Sequence, residues 1–175
     1  MKNTALILID VQNGMFEVDN PVYKGAEVLQ NLQILVGNAR QSSVPIFFLQ
    51  HCAAKGKLLE PYSYAWEISR EMERKEEDIT ITKKTPDAFY GTHLKTELKK
   101  REIHHLVLAG IQTELCVDTT CRVAHHYGYK VTIVSDGHST WSNNSLSAEA
   151  IIHHHNQIFH WFADVYPTKD ISFID

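Results

Sequence analysis

Three side chains with the chemistry of covalent hydrolysis stand far apart in this sequence, each at the end of an apolar run. Asp10 closes the run 5–9, Lys83 closes 79–82, and Cys116 follows 106–109 where a helical pattern begins. In an open α/β sheet, ligands gather beyond the carboxyl ends of the strands. Residues ending separate strands therefore converge there, and a nucleophile needs a base and an electrostatic partner within hydrogen-bonding distance. A thiol in the first turn of a helix faces backbone N–H groups and the positive dipole end, which lower its pKa from about 8.5. The same N–H groups suit the oxyanion formed when a thiolate adds to a carbonyl. Position alone fits a buried, inert cysteine equally well, since free cysteine is among the most buried residue types. Asp10 is in turn either the group that takes the thiol proton or an anchor for its loop, and a carboxylate ending a buried strand must find a partner. In "DITITKKTPDAF" strand alternation sends Lys83 and Lys84 to opposite sides, so the two cannot join one cluster together, and a lone lysine ending a strand usually just reaches solvent.

The elements that must position these groups follow from the apolar pattern. Short aliphatic or β-branched runs at 5–9, 44–49, 79–82, 106–109, 131–134 and 162–166 read as six strands. Helical spacing lies between them, at Val28, Leu32, Leu35 and Val36, at Leu94 and Leu98, and at Leu146, Ala150, Ile151 and Ile158. Strand alternating with helix predicts an α/β fold, a three-layer αβα sandwich with a six-stranded, mostly parallel, doubly wound sheet. Thr92 is placed to cap the helix of Leu94, Gly128 follows the helix after Cys116, and Pro45 starts a strand. The stretch 52–74 is the least regular, and its Tyr62, Tyr64 and Trp66 either pack locally or wall a pocket. Cys121 points well away from Cys116 and reads as a core residue, and Cys52 reads as structural.

At 175 residues the chain, 1–175, fits a single domain able to bury roughly 70% of its unfolded surface. The formal charge of -4, without a concentrated Lys/Arg face, predicts no nucleic-acid partner. Lys99, Lys100 and Arg101 suit a helix C-terminus. The opening "MKNTALILIDVQNG" reads as a buried strand, not a signal peptide. No stretch approaches the roughly 20 apolar residues that cross a bilayer, so no membrane association is expected. Three cysteines in a chain with a core argue for a reducing compartment, and a cytoplasmic location is the expectation.

The pattern resembles the isochorismatase-like cysteine hydrolases, a family that includes nicotinamidase and N-carbamoylsarcosine amidohydrolase. The likeness spans nearly the whole chain: "ALILIDVQNGMF" carries the family's D-x-Q, "TKKTPDAFYGTHL" resembles its Lys-x-x-x-Ser/Asn-Ala-Phe stretch, and "AGIQTELCVDTTCRVAHHYGYKV" resembles its G-x-x-T-x-x-C-V signature. "VSDGHST" matches the strand and turn that follow. The resemblance implies a triad of Asp10, Lys83 and Cys116, choosing Lys83 over Lys84, with Asp87 as a departure at the Ser/Asn position. It also implies a cis peptide before Gln112 and an oxyanion hole built from the backbone N–H groups of Gln112 and Cys116. Phe16 and Phe89 lie near Asp10 and Lys83 in the chain, where similar aromatics line the family's sites; each either lines the pocket or packs in the core. Gln12, two residues past Asp10, is a candidate for orienting it and for binding substrate. A homo-oligomer and a small-molecule substrate complete the expectation.

Within that family the resemblance separates three activities. Isochorismatases proper cleave a vinyl ether without a cysteine and commonly carry Gly at the position of Cys116, so the cysteine implies cleavage of a C–N bond in an amide, ureido or related compound through a thioester. The alternatives are a vinyl-ether hydrolase using Asp10 and Lys83, and a non-catalytic member used for binding. Nicotinamidases have an Asp-x-His metal motif after the second strand, where this chain reads "LQHCAAKG", with Gln50 and Cys52 flanking His51. A single histidine without a matched carboxylate is a poor site for a hard metal, so neither a metal nor another cofactor is expected, and nicotinamide is a poor fit as substrate. The helix of "IIHHHNQIFHW", His153 to His160, tempts a zinc reading, but three consecutive residues fan over about 200° and share no face.

Overall fold

The computed structural model describes residues 3–17 and 19–173. Six strands, β1 (Thr4–Ile9), β2 (Ile46–His51), β3 (Ile79–Lys83), β4 (His105–Ile111), β5 (Lys130–Ser139) and β6 (Asp164–Tyr166), form one sheet in the order β3-β2-β1-β4-β5-β6. Every pairing is parallel. The crossovers carry helices α1 (Asn13–Phe16, a single turn), α2 (Gly25–Gln41), α3 (Leu94–Lys100), α4 (Asp118–His126) and α5 (Ala148–Phe159).

Strand alternation divides the core into two layers. Ala5, Ile7 and Ile9 of β1 pack with Leu94 and Leu98 of α3, Cys121 and Ala124 of α4 and Phe159 of α5. Leu6 and Leu8 face the other way, onto Val28, Leu32, Leu35 and Val36 of α2. All six residues of β1 are buried, as expected for a strand covered on both sides. Full burial of one such aliphatic side chain contributes about 1.5–3 kcal/mol, so the apolar runs read in the sequence are also what holds the layers together. The order in which successive strands are added reverses between β1 and β4, and the rim beyond those two parallel strands is where such sheets place ligands.

The six predicted strands are all present; β2 runs 46–51 instead of 44–49, β4 extends the run 106–109 to 105–111, and β5 and β6 differ for reasons of packing. β5 continues to Ser139 because its register against β4 shifts between Leu108 and Gly110, letting Gly110 pair with His138. Gly110 permits this: its φ is +129°, and a Cβ there would collide with the backbone of Ile9. β6 is shorter than the run 162–166, because Phe162 and Ala163 turn back on Phe159 through their N–H groups. Thr92 was expected to cap α3, but the N-cap is His93, whose side chain makes no cap bond; Thr92 stands one residue earlier, its Oγ1 accepting from Leu94 N at 3.2 Å. Gly128 follows α4 with a φ of +84°. Among the described residues, no helix is long and apolar enough to cross a membrane.

Candidate active site

Parallel register brings the acid and the ammonium together. Ile9 pairs with Leu49, Leu49 with Ile81, and His51 with Lys83, so Asp10 and Lys83 emerge at the same rim of three adjacent strands. Lys83 Nζ donates to Asp10 Oδ2 at 2.7 Å, and both side chains are sealed from solvent. The ammonium also lies 3.2 Å from the Thr85 carbonyl, 3.3 Å from Cys116 Sγ and 3.5 Å from His51 Nδ1. Three N–H donors are thus surrounded by four acceptors. Cys116 arrives from β4, one strand over, on a π-helical turn, Thr113–Val117, that precedes α4. Val117 N reaches back five residues to Gln112 O at 3.0 Å, which widens the turn and half-buries Cys116 against the apolar layer.

The thiol's environment reverses the expectation drawn from its place at a helix start. Burial, and next the negative charge of Asp10, push its pKa up to about 12, and the Lys83 ammonium only partly offsets them. The helix argument considers only the local backbone, whereas desolvation and a carboxylate brought in from another strand dominate here. At rest the group is therefore a thiol, and reactivity depends on a base removing its proton. Burial also raises the pKa of Asp10 against the opposing pull of Lys83. Its Oδ2 is held by the ammonium, while Oδ1 is buried without a hydrogen-bond partner among the described residues. Asp10 and Cys116 are close enough for each to alter the other's proton affinity, yet Oδ1 remains open to receive a proton.

The other predicted residues take different places. The peptide between Ile111 and Gln112 is cis. Gln12 turns its amide onto backbone: Oε1 accepts from His51 N at 2.9 Å, and Nε2 donates to Trp66 O at 2.7 Å and His51 O at 3.1 Å. It ties the ends of β1 and β2 to the irregular loop and does not orient the Asp10 carboxylate, because those backbone groups saturate it first. Gln50 grips the same Trp66 carbonyl at 2.8 Å. Phe16 packs on the α2 layer, across the sheet from Cys116. Phe89 lies in the core beside α4, its ring 5.3 Å from that of Tyr127 and 5.9 Å from that of Tyr129. Tyr62 is exposed, its ring tilted at 53° and 5.5 Å from that of Trp66, whose Nε1 points to Cys52 Sγ at 3.3 Å.

Two roles were not read from the sequence, although His51 was weighed there as a metal ligand. His51 stands beside Lys83 with its pKa lowered by burial and by the ammonium, a placement that only the β2–β3 register reveals. Buried His138 of β5 bonds Thr113 at the head of the nucleophile's turn. On α5, His153, His154 and His160 are exposed, and His155 Nδ1 meets the Ile151 carbonyl at 2.9 Å. Among the described residues no group of three or more His, Cys, Asp or Glu side chains is arranged to hold a metal.

A parallel αβα sandwich whose central rim buries an acid, an ammonium and a thiol has the build of a small-molecule hydrolase. Residues 4–168 match the isochorismatase domain, and the chain belongs to that family of hydrolases. Among curated relatives it is 28% identical over 137 residues to the streptothricin hydrolase of Streptomyces noursei, covering 78% of this chain and 50% of that protein. It is 24% identical over 200 residues to the ureidoacrylate amidohydrolase RutB of Pantoea ananatis (strain LMG 20103), covering 94% and 80% respectively. A crystal structure of an isochorismatase family protein superposes with a TM-score of 0.88 at 36% identity, over 94% of this chain and 98% of that one.

Proposed function

We propose that this hydrolase cleaves the C–N bond of a small amide or ureido compound through a Cys116 thioester. The observation that carries the reading is the contact of one buried ammonium with both a carboxylate oxygen, at 2.7 Å, and the half-buried sulfur, at 3.3 Å. The relatives named for streptothricin hydrolysis and ureidoacrylate amide hydrolysis support the substrate class.

The mechanism follows from which lone pairs are free. Asp10 Oδ1 takes the Cys116 proton as sulfur attacks the carbonyl carbon, and Lys83 stabilises the developing thiolate. The carbonyl oxygen, now negative, is received by the backbone N–H groups of Gln112 and Cys116. Asp10 returns the proton to the departing nitrogen, which leaves as ammonia or an amine. Water then attacks the thioester, Asp10 taking its proton and passing it to the leaving sulfur, so that thiol and carboxylate are both restored. A buried acid of raised proton affinity suits a group that must both accept and donate near neutrality.

The test is ammonia or amine release across a panel of amides and ureides. The parent protein is expected to hydrolyse at least one, and Cys116→Ala to lose that rate by about 10⁴-fold while remaining folded. A Cys116→Ala protein that keeps its rate refutes the thioester.

A further inference from the structure

Behind the nucleophile's turn lies a chain of buried hydrogen bonds whose direction is fixed by elimination. Asn156 of α5 approaches the Ser135 carbonyl at 3.0 Å, and a carbonyl only accepts, so the amide presents its NH₂ there. Its oxygen is left facing His138 Nε2 at 2.9 Å, and an amide oxygen also only accepts, so Nε2 carries a hydrogen. The ring is buried, edge-on to Phe159, and burial lowers its pKa to about 4, so it is neutral and Nδ1 bears a lone pair. The Thr113 hydroxyl, 2.8 Å from Nδ1, must therefore donate. Each link has one solution, running from Thr113 through His138 and Asn156 to the backbone of β5.

Thr113 is fully buried and begins the π-helical turn that presents Cys116; the cis peptide at Gln112 immediately precedes it. We propose that His138, as the neutral Nε2–H tautomer, is a positioning residue that holds the Thr113 hydroxyl and thereby aims both Cys116 and the Gln112 N–H. The catalytic part of this inference rests on the thioester reading above; the tautomer does not. The distinction from a merely space-filling histidine is directional: with Nδ1 bare the Thr113 hydroxyl spends its hydrogen on the ring, whereas a ring protonated on Nδ1, or charged, reverses that bond and leaves the hydroxyl hydrogen to find another acceptor.

The charged and titratable groups facing His138 set how readily that happens. Asp136 of β5 favours the charged ring and His155 of α5 disfavours it. Glu149 and His153 of α5, with Glu27 of α2 and Lys24 just before that helix, line the cavity of about 270 Å³ that His138 borders. Replacing the neutral amide at 2.9 Å by a carboxylate, in Asn156→Asp, adds a nearer negative charge and should draw a second proton onto the ring.

Nitrogen-15 NMR of the imidazoles in the full-length protein at neutral pH tests the tautomer without any substrate. His138 should show a protonated Nε2 and a bare Nδ1; a protonated Nδ1 overturns the proposal. With the amide or ureide that the panel finds best, Thr113→Val should lower kcat roughly 10- to 100-fold with KM little changed, as expected for misaimed groups. Thr113→Ser should restore most of that loss. The loss in His138→Phe should not add to that in Thr113→Val. Asn156→Asp should move the acid limb of the kcat profile to higher pH. A folded Thr113→Val protein with parental kcat, or an unmoved limb in Asn156→Asp, overturns the positioning role; should Thr113→Val not fold, the NMR tautomer and the Asn156→Asp profile decide. Survival of activity in Cys116→Ala instead overturns the thioester reading and leaves the tautomer assignment standing.

Discussion

Two buried polar clusters flank the turn that carries Cys116, and they are built on opposite principles. In the cluster of Asp10, Lys83 and Cys116, three N–H donors meet four acceptors, Asp10 Oδ1 has no partner among the described residues, and burial pushes up both acid and thiol. In the cluster of Thr113, His138 and Asn156, each group meets a complementary partner and the ring has one usable tautomer. Unsatisfied groups leave protons free to move, and saturated ones fix geometry. The contrast separates the part of the rim that performs chemistry from the part that holds it still.

The largest expected effect falls on the unsaturated side. Asp10→Asn keeps the shape of the acid but cannot take a proton, and should reduce amide hydrolysis by about 10⁴-fold in steady-state assays. Next, Lys83→Met removes the counter-charge of a buried carboxylate, which should destabilise the fold by roughly 3–5 kcal/mol in urea titrations. The double variant Asp10→Asn/Lys83→Met should recover much of that stability, because no unpaired charge then remains. If Lys83→Met costs no stability, the burial of Asp10 does not depend on the ammonium.

On the saturated side the expected effect is on pH dependence. The unfolded His138 ring takes up a proton near 6.5 and the folded one only near 4, so between these values the unfolded state binds more protons. His138 thus stabilises fully above about pH 6.5, and its contribution, about 3 kcal/mol, is lost as pH falls toward 4. His138→Phe should flatten that part of the stability profile; an unchanged slope would mean that the ring is not held neutral. The smallest effect belongs to Gln12→Ala, which frees the loop at Trp66 from the rim and should cost about 1–3 kcal/mol.

Most of the fold was legible because strands of a parallel sheet covered on both faces read as unbroken aliphatic runs. The extension of β5 was not, since it depends on how closely Gly110 approaches Ile9, a contact between strands with no local signature. Asp10, Lys83 and Cys116 were legible as strand ends and through the family resemblance. The proton affinity of Cys116 was not, because a rule for helix starts omits charges arriving from other strands. Phe16 shows the same limit: nearness to Asp10 in sequence suggested the site, and layer packing drew it to α2, across the sheet from Cys116, while Phe89 lies in the layer that Cys116 packs against. His51 and His138 owe their places to register and crossover packing, which no window of sequence encodes.

The most direct test is whether turnover passes through a bond to sulfur. Acid-quenched samples of the working protein with its best amide or ureide, digested and examined by mass spectrometry, should show the acyl group's mass on the peptide bearing Cys116, and it should vanish when substrate is exhausted. Steady hydrolysis with Cys116 unmodified at every time point, and an undiminished rate in Cys116→Ala, would contradict the account.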